Sequence, residues 1–420
     1  MKRFKNLLLF GSAWCGLLAM APSAPAQTWR QTSAPYGSWT SVASSADGSK
    51  LVATGLYIPG CVNGEIYTSK NFGSSWTSNN VSDSPLYYVG SSADGAKLVA
   101  ATINGSIYLS TNSGTVWILT TNLPAFNQPG TSIVSSADGS KLIVAYPEGV
   151  FRSVDSGITW ISNSVTTNNL HWLFLALSAD ASVVVAADNY GYIYTSTNSG
   201  ADWIQTSAPL GNWQGIASSA DGKRLVAVDQ GFGPGWLGNT GNAGPIYIST
   251  NAGLTWTSNN MPSQIWIAVA SSADGRMLAA AAYDTGSGAP IYISTNSGES
   301  WTPEAVSNQW GCIASSADGT KLVAAIGNLG VYDGTEYSFA DGTIWTSQNT
   351  SPPQLNIARA NGNLAISWIV PSANFVIQQS SNLQIWADMT NQPVLNLTNL
   401  QNEMILSPSG SNVFYRLKTP

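Results

Sequence analysis

Two short motifs alternate along the chain, and their recurrence limits the fold more than any other feature. The first is SSADG followed by an apolar run, around Asp47 (SSADGSKLVA), Asp94, Asp138, Asp221, Asp274 and Asp318, with a weakened copy at Asp180 (LSADASVVVA). The second reads IYxSTNSGxxW, with copies ending at Trp76, Trp117, Trp160, Trp203, Trp256, Trp301 and Trp345. Successive Asp markers are 47, 44, 42, 41, 53 and 44 residues apart. A period of this length has room for four short strands, the unit that stacks radially in β-propellers.

The fifth unit illustrates the reading. Its strands are placed at Trp213–Ser218, Arg224–Val228, Pro245–Ser249 and Thr255–Ser258. Asp-Gly between the first two closes a tight hairpin, because Gly accepts a positive φ and Asp bonds its own turn backbone. The second motif turns the third strand into the fourth, and its Trp packs between sheets. Composition agrees. Of 420 residues 44% are hydrophobic but only 9% charged, with 40 Gly and 17 Trp, against about 25% charged in average soluble proteins. This excludes a coiled coil, a long helical bundle and a charged disordered tail. The expected fold class is all-β: a seven-bladed β-propeller, followed by a small C-terminal β-sandwich domain.

The second motif resembles the Asp-box, or BNR, repeat of sialidase-like propellers: Ser, any, Asp, any, Gly, any, any, Trp. Ser153, Asp155, Gly157 and Trp160 match it fully; Asn71, Asn112, Asn198, Asn251 and Asn296 stand in the Asp place of five copies, and the seventh has Ala340 there with Asp341 one residue late. The resemblance covers about three quarters of the chain. It implies fold rather than chemistry, because such boxes are structural turns in hydrolases, lectins, receptors and assembly factors alike. A sialidase-like site implies an arginine cluster, yet Arg30, Arg152, Arg224, Arg276, Arg359 and Arg416 are scattered.

Ring closure has two readings. Thr28–Trp39 (TWRQTSAPYGSW) repeats Asp202–Trp213 (DWIQTSAPLGNW), so residues 28–34 read as a fourth strand that could complete the last unit and hide its edge. Ile344–Gln348 also reads as that unit's own fourth strand. Beyond Ser351-Pro352-Pro353 the boxes stop, and alternating strands resemble the C-terminal β-sandwich modules of secreted bacterial proteins, suited to attachment. The expected division is 1–26 signal peptide, 27–351 propeller and 352–420 module.

Met1–Lys5 is basic, Leu7–Met20 apolar, and Ala24-Pro25-Ala26 fits a cleavage site after Ala26. A secreted or periplasmic location follows, with no transmembrane segment. Net charge is −6, and more negative once Lys2, Arg3 and Lys5 leave, which disfavours nucleic acid as a partner. With one His and scattered Cys, neither a metal site nor a cofactor is expected. Cys61 and Cys312 fall in the first and last units, where a disulfide could clasp the ring.

Strand alternation puts both kinds of short turn on one rim and the variable connections on the other, where binding usually evolves. Eight residues before each marker stand Trp39, Leu86, Gly130, Trp172, Trp213, Trp266 and Trp310. Trp39, Trp172, Trp213, Trp266 and Trp310, with Tyr87 and His171, read either as an aromatic crown for a glycan or peptide or as wedges between blades. The leading expectation is a monomeric, non-catalytic protein that binds a glycan or protein ligand on this rim. Alternatives are a two-carboxylate polysaccharide hydrolase, drawing on Asp83, Asp188, Asp229, Asp284, Glu304 or Asp333, and a structural or assembly scaffold of the cell envelope.

Overall fold

Every SSADG segment folds into the same turn. In the computed structural model of the chain, Ser45 Oγ donates to Asp47 Oδ1 at 2.6 Å and accepts from Lys50 N–H at 3.0 Å, while Ser49 N–H donates to the same carboxylate oxygen at 2.9 Å. Gly48 takes φ +69° beneath the stem of Lys321, whose Cδ would lie 2.7 Å from an added Cβ. The Lys321 ammonium reaches the Asp47 carbonyl at 3.1 Å, and Lys50, Lys141 and Arg224 reach the carbonyls of Asp94, Asp180 and Asp274 in the same way. Each cation therefore ties its own turn to the next.

The structure describes residues 27–418 apart from 56–64, 82–83, 103, 121–131, 147–148, 164–172, 232–242, 260, 262, 285–287, 328–330, 333–336, 339–341, 350–353, 361–362, 371–374 and 408–412. Among these, every regular element is a β-strand. Antiparallel four-stranded sheets follow one another, the first from Trp39–Ser44, Leu51–Gly55, Glu65–Ser69 and Thr77–Asn80. The second strands are buried along their length because they pack on both faces (Leu51–Gly55, Val184–Ala187, Leu225–Asp229). The turns join in a circuit of backbone hydrogen bonds. Ala46 N–H donates to Ala93, Ala93 to Ala137, Ala137 to Ala179, Ala179 to Ala220, Ala220 to Ala273, Ala273 to Ala317, and Ala317 back to Ala46, all at 2.7–2.8 Å.

Closure uses the chain's beginning. Thr28–Gln31 pairs antiparallel with Ile344–Gln348, which pairs with Lys321–Ile326, itself paired with Trp310–Ser315. Ile344–Gln348 is thus the third strand of the last sheet, and the fourth comes from the N-terminal segment. This corrects the placement of the seventh box. Trp345 lies on a third strand, where Tyr67, Tyr247 and Tyr292 stand in other units. Trp29 takes the box-Trp role instead, 5.7 Å from Trp310. The N-terminal segment is anchored further by Ser347 Oγ donating to Gln27 Oε1 at 2.7 Å.

Cys312 is a free thiol packed on the cluster that joins the last and first sheets, and burial pushes it up to about 12. Its expected partner Cys61 lies outside the described residues, as do residues 1–26, Trp172, His171, Ala340 and Asp341. Residues after the last unit form a four-stranded and a three-stranded sheet around Ile366, Trp368, Ile377, Met404 and Leu406. The segment SSNLQIW makes one more box-like turn there. Asn382 Oδ1 accepts from Gln384 and Ile385 N–H, and Trp386 Nε1 donates to Leu383 O at 3.2 Å.

A chain starting at Ala34, which lacks Thr28–Gln31, is expected to melt roughly 5–10 °C lower than one starting at Gln27. A peptide of residues 27–36 added in trans is expected to restore part of the loss. Thermal unfolding followed by tryptophan fluorescence checks this, and an unchanged midpoint contradicts closure by the N-terminal strand.

Candidate functional site

The aromatic crown is not formed by the described tryptophans. Trp39, Trp213, Trp266 and Trp310 are 0–1% exposed. A β-bulge follows each of them, between Trp39 and Ser41, Trp213 and Gly215, Trp266 and Ala268, and Trp310 and Cys312. One extra residue shifts side-chain alternation, so each Trp faces the same inter-sheet layer as the residue three positions on: Trp39 with Val42, Trp213 with Ile216, Trp266 with Val269, Trp310 with Ile313. Simple period-two counting had aimed them at the channel mouth. The rings meet Tyr67, Tyr247, Tyr292 and Trp345 edge-on at 5.2–6.4 Å. Trp213 Nε1 donates to Gly191 O at 3.1 Å and Trp266 Nε1 to Gly244 O at 2.9 Å, both in the preceding unit. Tyr87 lies half-buried 5.2 Å from Tyr88, and burial raises the pKa of both phenols.

Other residues reach solvent on the variable rim. Tyr36 and Leu210 occupy matching places in the two SAP-Tyr/Leu-G connections and are 55% and 50% exposed. Tyr190 (50% exposed, φ +66°) and Tyr192 lie where the long strand Val184–Gly191 turns into Ile193–Ser196. Here Asn189 pairs with Asn212 and Gly191 with Gly211, joining the fourth and fifth sheets. Asn212 N–H donates to Asp229 Oδ1 at 3.0 Å, its amide reaches Gly231 O at 3.0 Å, and Gln214 Nε2 donates to Asn212 Oδ1 at 2.8 Å. Asn189 Oδ1 is buried without a partner among the described residues. Sequence reasoning missed this group of tyrosines and amides; its signal was the run NYGYIY followed by GNW.

The carboxylate candidates do not converge. Asp229 is buried, with Oδ1 taking N–H bonds from Asn212 and Gly231; burial raises its pKa, against those bonds. Asp188 is buried at the matching place in the preceding unit. Asp284 is exposed. Glu304 lies on a fourth strand, Thr302–Asn308, with its pKa raised by burial. Asp83 and Asp333 lie outside the described residues. Arg30 binds Thr346 Oγ1 and Ser74 Oγ, Arg224 the Asp274 carbonyl and Arg276 Gln354, so these arginines brace structure.

The boxes are turns. Ser153 Oγ accepts from Gly157 N–H at 2.8 Å, and Asp155 Oδ1 accepts from Thr159 N–H at 2.9 Å. Asn71 Oδ1 accepts from Ser75 N–H at 2.9 Å in the same way, which is why an amide serves as well as a carboxylate. Asp155 is held down to about 2, first by the Thr159 hydroxyl and N–H.

No protein-family model matches the sequence, and no curated protein matches it. Solved structures do, and they are propeller-type folds. A structure of YCF48 bound to D1 peptide is 14% identical, with TM-score 0.54, covering 78% of this chain and 100% of that one. The GH74 xyloglucanase from Xanthomonas campestris is 16% identical, with TM-score 0.55, covering 82% of this chain and 59% of that one. U3-55K is 11% identical, with TM-score 0.60, covering 76% of this chain and 98% of that one. At these identities the likeness establishes the fold alone.

Trp213→Ala is expected to destabilise the chain by about 3–5 kcal/mol in denaturant unfolding, through a cavity between sheets. Because Asp155 sits lower when folded than when unfolded, its contribution is full above about pH 4 and fades as pH falls toward 2. Asp155→Asn should therefore flatten the acid limb of the stability profile. Asp229 has the opposite sign: its raised pKa favours folding below the unfolded value and costs stability once pH exceeds the folded one. Asp229→Asn should raise the melting temperature at pH 7 but not at pH 3.

Proposed function

We propose that the chain is an exported, non-catalytic, seven-bladed β-propeller with a C-terminal β-sandwich module, and that it binds a glycan or protein ligand on its variable rim. The observation that carries this reading is the exposed set Tyr190, Tyr192 and Leu210 where the fourth and fifth units meet on that rim, beside the amides of Asn189 and Gln214. Tyrosine offers broad, stiff contact area with a polar tip, and side-chain amides both donate and accept. Sugar faces and extended peptides need this combination. The positive φ of Tyr190 is backbone strain of the kind that gathers at ligand contacts. A neighbour of like fold, YCF48, is bound to D1 peptide. Seven repeats and the closed circuit of alanine hydrogen bonds support the blade number, and the basic, apolar and small-residue segments before Gln27 support export.

Hydrolysis is the second reading, favoured by one observation: Asp188 and Asp229 are buried at matching positions of adjacent units, and Asp229 has a raised pKa.

The test is binding of the purified mature chain to glycan and peptide arrays. The expected outcome is a ligand whose affinity falls at least tenfold in Tyr190→Ala/Tyr192→Ala and is unchanged in Lys141→Ala on the opposite rim. Binding insensitive to the tyrosine pair, or no binding to either array, overturns the proposal. Reducing-sugar release from polysaccharides, lost in Asp229→Asn, establishes hydrolysis instead.

A further inference from the structure

The turn rim surrounds a cavity of about 180 Å³ at the mouth of the central channel, lined by the serines and alanines of the SSADG turns. Its polar groups are already satisfied. The first serine of each turn donates to the carbonyl of the second, as Ser135 Oγ does to Ser136 O at 3.1 Å, and the alanine amides are used in the circuit. What remains at the mouth is a mixture of methyl groups and hydroxyls that are already paired. One unit departs from the pattern: the fourth carries Leu177 where the others carry that first serine.

Among the described residues, one from beyond the repeats lines this mouth. Leu400 packs against Ala137, Ala179 and Ala220, the turn alanines of the third, fourth and fifth units. Its contacts therefore centre on the unit that bears Leu177, and both leucines line the cavity. The turn that presents Leu400 is braced from several sides. Asn399 Oδ1 accepts from Gln401 N–H at 3.0 Å, Asn399 Nδ2 donates to Glu403 Oε1 at 2.8 Å, and Leu400 O accepts from Val370 N–H at 2.9 Å. Leu400 itself holds φ +54°, a conformation unfavourable for a leucine and retained where the surroundings enforce it. A second tie lies on the same rim, where Arg276 Nη1 donates to Gln354 Oε1 at 2.8 Å.

We infer that Leu400 is a peg that seats the C-terminal segment in the channel mouth on the turn rim, and that Leu177 is the substitution in the ring that makes an apolar seat for it. The segment is then a built-in plug rather than a freely tethered module. The mouth is a site for an aliphatic side chain borne on a tight turn, occupied on the side of the third to fifth units by the chain's own leucine. This part of the turn rim is covered by the arrangement, and a ligand approaches from the variable rim.

The test places a reporter thiol in the seat, Ala179→Cys, in a chain of residues 27–420 carrying Cys61→Ser and Cys312→Ala, and measures its labelling by a water-soluble maleimide. Labelling is expected to be slow, to accelerate at least tenfold in Leu400→Asp, and to return to the slow rate in Leu400→Met. Equal rates in the parent and Leu400→Asp overturn the proposal. Should Leu400→Asp fail to fold, the pair Ala179→Cys/Leu400→Cys decides. An intrachain disulfide on mild oxidation, seen as a gel shift reversed by reductant, supports the seat, and its failure to form overturns it.

Discussion

The circuit of alanine amides and carbonyls at the SSADG turns is the constraint on which the rest depends. A hydrogen bond that passes from one turn to the next around a closed path leaves no terminal donor or acceptor, so no turn can drift without breaking bonds on both sides. A buried backbone bond contributes only about 1 kcal/mol net, but an unmade one costs more than that. Closure therefore penalises a missing or displaced unit far more than it rewards any single contact. The motif composition follows from this geometry. Alanine keeps the turns close, serine and aspartate hold each turn's shape, and glycine admits the aliphatic stem of the neighbouring cation, as Gly48 admits Lys321.

Regularity at one rim leaves the other free to vary, and chemistry is found where the repeats break. The fourth unit is the most irregular. It lacks the turn glycine, with Ala181 at φ +54°, it carries Leu177 toward the channel, and its second strand runs long enough to pair with the fifth sheet. The irregularities at its two ends face different tasks, seating Leu400 below and exposing Tyr190 and Tyr192 above.

The repeat period, the strand order within a unit and the structural role of the boxes were all readable in the residues, because turn chemistry and apolar alternation are local properties. The tryptophan crown was misread for a definite reason. A bulge inserts one residue into the count, and nothing in the string Trp213-Gln214-Gly215 marks it. The two readings of ring closure stayed open because Trp345 mimics a box tryptophan after the Asp-Gly at 341–342. Only pairing distinguishes a third strand from a fourth. The tyrosine and amide group was equally hidden, since it depends on two units meeting at Asn189 and Asn212.

The N-terminal strand has a consequence for how the molecule is made. Thr28 is translated more than three hundred residues ahead of Gln348, the partner it needs. Throughout synthesis that segment has an unsatisfied edge, and the last sheet receives its outer strand only after nearly everything between has been assembled. Such remote pairing is slow because a long loop must close first. Folding is thus committed at the end, by a segment made near the start of synthesis, and a chain stalled before Ile344 has an open circle with Trp29 unplaced.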